Sequence, residues 1–192
     1  MLYSGCMTTR LYWHPIYLEH LTPPGHPERP DRIRALMSEL EGPDFYRLDR
    51  VEAPHAGEAA ILLAHPEEHL EAVRSKIPEP VEDGEASQPI VKLDGDTYVS
   101  PKSMDAALTA IGAAMAAVDD VMSGAADNVS WHRARLATMP SAAGPWAFAF
   151  STILRLRRAM RSAIMGWNAS QLSIGMYTTA MARRIFSRMI QA

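Results

Sequence analysis

The sequence predicts an α/β fold for residues 1–129, on three observations. An aromatic and β-branched run at Leu11–Tyr17 reads as a first strand. Apolar residues then recur at helical spacing, first over Ile33, Leu36, Met37 and Leu40 and later along Pro101–Met122. After Gly124 the chain returns to strand character at Asn128-Val129.

The elements follow in order. Between the first strand and the first helix stands Pro23-Pro24-Gly25-His26-Pro27-Glu28-Arg29-Pro30-Asp31. Proline fixes φ and donates no ladder bond, so this run is a rigid loop. The helix through Ile33 and Leu40 should stop at Gly42, a residue suited to the position after a helix end. Glu58–Ala64 and Glu67–Lys76 read as two short helices, Lys76–Pro89 as a polar, acidic surface loop, and Asp94-Gly95-Asp96-Thr97 as a turn. The strongest helix is Pro101–Met122. Met104, Ala107, Leu108, Ile111, Met115, Val118 and Met122 line one face, while Ala106, Ala110, Gly112, Ala113, Ala116 and Ala117 keep the others small. Neighbours can approach such a helix closely from both sides, which predicts burial.

A chain of 192 residues, 47% of them apolar, is long enough for one domain with its own core. The single cysteine, Cys6, excludes a disulfide framework within the chain. The N-terminus lacks a basic segment followed by an apolar run, and no stretch reads as long and apolar enough to span a bilayer. The expectation is a cytoplasmic protein with no membrane partner. Met7 is a candidate start, because the recognisable pattern begins at Thr8-Thr9-Arg10-Leu11-Tyr12.

Charge divides the chain near Asn128. Residues 1–129 hold 10 basic and all 22 acidic residues, a net charge of −12. Residues 130–192 hold nine arginines and no lysine, aspartate or glutamate, a net charge of +9. A solvated globular surface normally mixes both signs. A basic tail for nucleic acid or an anionic membrane is one reading. Such tails usually favour lysine, however, and this one scatters Trp131, Trp146, Trp167 and six methionines through its charge.

Two motifs in the first segment point elsewhere. Gly25-His26-Pro27-Glu28-Arg29-Pro30-Asp31-Arg32 is fairly specific; Leu93-Asp94-Gly95-Asp96-Thr97, leading into Ser100-Pro101-Lys102-Ser103 and the alanine-rich helix, is weaker but correctly placed. With them, residues 10–129 resemble the N-terminal part of the histone deacetylase family, in its bacterial histone deacetylase-like and acetylpolyamine amidohydrolase branch. The resemblance implies a parallel sheet with helices on both faces, of the arginase/deacetylase type, with the site on loops at the strand C-termini. It also implies that this chain supplies only part of that sheet. Residues 1–129 would form a partial deacetylase-like domain, and residues 130–192 a helical or disordered tail without a native fold.

In this family the segment continues into R-P-P-G-H-H-A, whereas the chain reads Ala134-Arg135-Leu136-Ala137-Thr138-Met139-Pro140. Written as GCC CGC CTG GCC ACC ATG CC, preceded by one C and regrouped, that stretch becomes CGC CCG CCT GGC CAC CAT GCC, which spells R-P-P-G-H-H-A. In the same frame Gly144–Ile153 can read A-M-G-F-C-F-F-N-N, and Ser173–Phe186 can read D-W-D-V-H-H-G-N-G-T-Q-D-I, similar to the family's zinc-binding segment. Met139, Trp146 and Met176 have single codons, and each falls where the family residue demands that codon. Residues 130–192 therefore read as the same gene translated out of frame. Either the frameshift is real, or a base error conceals an intact enzyme.

The resemblance implies hydrolysis of an N-acetyl amide of lysine or of a polyamine. A zinc ion held by two aspartates and a histidine would polarise the carbonyl and activate water. Tandem histidines would move protons, and a tyrosine would stabilise the oxyanion. In this chain Thr138 and Met139 occupy the tandem-histidine positions, and Met176 and Thr178 occupy those of the first aspartate and the histidine ligand. A thioether and a hydroxyl do not replace carboxylate and imidazole on zinc. The chain as written is thus expected to have no catalytic residue, no metal ligand and no cofactor. Arg29 matches an arginine that lines the internal cavity behind the zinc, and Asp96 an aspartate at the rim that holds substrate backbone. The bland alternatives are that Arg29 pairs with nearby carboxylates and Asp96 caps a turn.

Three further features have plainer readings. His65-Pro66-Glu67-Glu68-His69 fits the inverted zincin pattern H-x-x-E-H, but its setting favours an ordinary short helix. His14, His20 and His26 surround the proline loop and suit hydrogen bonding there. Arg155, Arg157, Arg158 and Arg161 form a basic patch able to attract phosphates without specificity. The alternative to a frame-shifted deacetylase is a noncatalytic module with a basic nucleic-acid- or membrane-binding tail, which would show steep salt dependence.

Overall fold

A computed structural model describes residues 7–63, 65–82, 88–95 and 97–131. Strand β1 (Thr9–Trp13) is followed by a 3-10 turn (Pro15–Leu18), helix α1 (Asp31–Leu40) and a second 3-10 turn (Pro43–Phe45). Strand β2 (Asp49–Glu52), helices α2 (Ala59–Leu62) and α3 (Glu67–Arg74), and the short strands β3 (Val91–Lys92) and β4 (Tyr98–Val99) come next. Helix α4 (Ser103–Ser123) and strand β5 (Asn128–Trp131) complete the described part.

The main sheet has the order β2-β1-β5, and both pairings are parallel. Arg10 stands opposite Asp49 on one side and Val129 on the other. Parallel neighbours need long crossovers; here α1 bridges β1 to β2, and the α2–α4 region returns the chain to β5. This is a partial α/β sheet with flanking helices, as the resemblance implied. β3 and β4 form a separate antiparallel hairpin.

The predicted first strand is shorter than its aromatic run. It ends at Trp13, because His14 caps the 3-10 turn by accepting the Ile16 N–H at 3.0 Å, and Pro15 begins that turn without a ladder donor. The helix through Ile33 and Leu40 forms, but Gly42 does not end it in a left-handed conformation. Its φ is −62°, and it leads directly into the next 3-10 turn. Gly124 does take that role for α4, at φ +75°.

Helix α4 is the spine. Its N-terminal half is buried all round from Ala106 to Ala113, whereas Met115, Val118 and Met122 are half-buried. The small residues allow close approach: a Cβ on Gly112 would lie 1.9 Å from the Pro54 carbonyl oxygen. The core gathers Tyr12, Tyr17, Ile33, Ile61, Leu70, Val99 and the α4 alanines. One expectation needs correction. With 21 residues, α4 is long and apolar enough to cross a membrane by length and composition. Its small apolar residues instead serve the core, where ten of them or their neighbours are buried.

Candidate functional site

In a parallel sheet the loops beyond the strand C-termini converge on one end, and ligands bind there. The chain leaves β1 at that end. His14 accepts from the Ile16 N–H through Nδ1, so Nε2 carries the proton that reaches Glu52 Oε1, at the end of β2, at 3.1 Å. The proline loop then turns through Gly25, whose φ of +80° is open to glycine and strained for other residues. The His26 N–H closes that turn on the Pro23 carbonyl at 3.0 Å. His26 Nδ1 accepts from the Glu28 N–H at 3.2 Å, and its ring meets Tyr98 edge-on at 5.3 Å. This contact joins the loop to the β3–β4 hairpin.

A second junction is buried. His20 Nδ1 lies 2.8 Å from Ser103 Oγ, and that oxygen also accepts the Ser100 N–H at 2.8 Å. Ser100 Oγ accepts the Leu21 N–H at 3.0 Å and donates to the Glu19 carbonyl at 3.3 Å. The loop is thus fastened to the start of α4. Burial pushes the His20 imidazole down to about 4, against the opposing pull of the Glu28 carboxylate. His20 is accordingly neutral near pH 7. Loop hydrogen bonding was the expected role for His14, His20 and His26, and each performs it. The serine partners were not foreseen, although Ser100 and Ser103 sit inside the second motif; nothing in their spacing names His20 as the group they meet.

Arg29 lies 3.6 Å from the Asp31 carboxylate, with 55% of its side chain exposed. Nearby, Arg32 pairs with Glu28 and Arg34 with Asp31. The structure therefore places Arg29 on the loop surface beside a local carboxylate. The hairpin turn is built by Asp94, whose Oδ1 accepts the Thr97 N–H at 3.1 Å, while the Leu93 N–H donates to the Thr97 carbonyl at 2.8 Å. Asp96 lies outside the described residues, as do Thr138, Met139, Met176 and Thr178.

His65 and His69 do come together, with ring centroids 5.0 Å apart. They give two imidazoles. Among the described residues no group of three or more His, Cys, Asp or Glu side chains is placed to hold a metal ion. The residues brought together here therefore do not fit a zinc ion held by two carboxylates and an imidazole. A shallow groove lined by Met7, Thr9, Phe45 and Leu48 lies at the opposite end of the sheet, where β1 and β2 begin.

A parallel sheet, with a proline-rich loop joined to a hairpin through His26 and Tyr98, makes this an α/β fragment. Residues 26–138, more than half of the chain, match the family model for the histone deacetylase domain. The chain belongs to the histone deacetylase family. The crystal structure of the HDA15 HD domain is similar in fold, with a TM-score of 0.54 and 24% sequence identity. That match covers 65% of this chain and 34% of the other, so the chain spans about a third of the length of that relative. No curated protein matches the sequence.

Proposed function

We propose that this chain is a frame-shifted member of the zinc-dependent deacetylases, whose parent enzyme hydrolyses N-acetyl amides of lysine or polyamines in the cytoplasm, and that the chain itself is inactive. One observation carries the reading. The family match ends at Thr138, inside Ala134–Pro140, the stretch that spells R-P-P-G-H-H-A in the neighbouring frame. The charge inversion begins about ten residues earlier, after Asp127. The motif loop and the hairpin carrying Arg29 and Asp96 precede that point, and the residue types for acid–base work and zinc ligation do not follow it.

In the parent, zinc would supply carbonyl polarisation and an activated water. In this chain Met176 and Thr178 stand at two ligand positions, and Thr138 and Met139 at the histidine pair. None of the four combines a metal-binding charge or imidazole with proton transfer near neutral pH. Arg29 and Asp96 keep their family roles only in the intact enzyme. Resequencing genomic DNA across codons 128–131 tests the proposal. A one-nucleotide difference that opens the other frame assigns an intact enzyme to the organism. An unchanged sequence with the motifs in the neighbouring frame makes the frameshift genuine.

A further inference from the structure

We draw no further inference here: the strongest candidate, the uncharged outer edge of strand β5 at Asn128–Trp131, has no strand beside it among the described residues, and nothing in the structure shows what covers it.

Discussion

At the scale of single residues, His20 is the side chain whose chemistry is most altered by the fold. Its imidazole is 3% exposed and held neutral between the loop and α4. The folded value of about 4 lies below the ordinary 6.5. Between those values the unfolded chain takes up a proton that the folded chain refuses, so His20 favours folding fully above pH 6.5 and progressively less as the pH falls toward 4. The gap corresponds to about 3 kcal/mol. Urea midpoints at pH 7 and pH 4.5 should therefore differ more for the native protein than for His20→Gln. Equal pH dependence in the two would remove this role. Histidines around the loop were legible in the sequence. The depth of His20 was not, because burial depends on α4, more than 80 residues away, and local pattern carries no such information.

At the scale of elements, legibility followed residue pattern. β1, α1 and α4 have strong aromatic or 3.6-residue periodicity and were readable. β2 was not, since Asp49-Arg50-Val51-Glu52 is a charged strand, at the edge of the sheet among the described residues, held by its pairing with β1. β3 and β4 have two residues each, too few for a period, and form because the Asp94 turn brings them together. The fit of α4 is the feature most open to test. Gly112→Ala would drive a methyl group against the Pro54 carbonyl, a backbone atom that cannot swing away. A loss of about 1–3 kcal/mol is expected, as for other overpacked cores. Gly124→Ala meets no atom within 4 Å but must hold φ near +75°, and should cost about 1–2 kcal/mol. Denaturant titration of both separates the causes. Shortening Pro54 contacts is irrelevant at Gly124, so a segment that tolerates Gly112→Ala freely would mean α4 does not pack as described.

At the scale of the whole molecule, the described sheet has three parallel strands, and the chain spans about a third of the length of the HDA15 HD domain chain. Strand order was not readable from local pattern, because β1 pairs with strands roughly forty and 119 residues distant; the motifs supplied only the parallel α/β class, through the family they resemble. Of the two candidate site residues, Arg29 stands on the loop surface beside Asp31 and Asp96 lies outside the described residues, while the contact of His26 with Tyr98 that joins the loop to the hairpin required the fold. The first prediction here concerns metal. The purified chain should contain no stoichiometric zinc and should leave acetyl-lysine and acetylpolyamine probes intact, since Met176 and Thr178 lack the donors that zinc selects. One tight zinc per chain by metal analysis would sink the proposal and direct attention to the His65–His69 pair.

The frame itself gives the sharpest test. Compensation by one nucleotide near codon 129 should convert the tail into R-P-P-G-H-H-A, A-M-G-F-C and D-W-D-V-H-H. The tail's net charge should fall from +9 toward an ordinary acidic and basic mixture, because selection on a folded surface keeps both signs. The reading frame should continue well beyond codon 192, since the second aspartate ligand and the oxyanion tyrosine have yet to appear. The same change should extend the sheet past β5, whose four residues are uncharged and suited to a sheet interior. The compensated product should bind zinc and release acetate from an N-acetyl amide, with Arg29→Ala and Asp96→Ala lowering its activity. If the compensated frame meets a stop within a few codons, or spells none of these motifs, the frameshift account is wrong. The nine arginines would then call for a polyanion partner, and the salt dependence of binding would become the measurement to make.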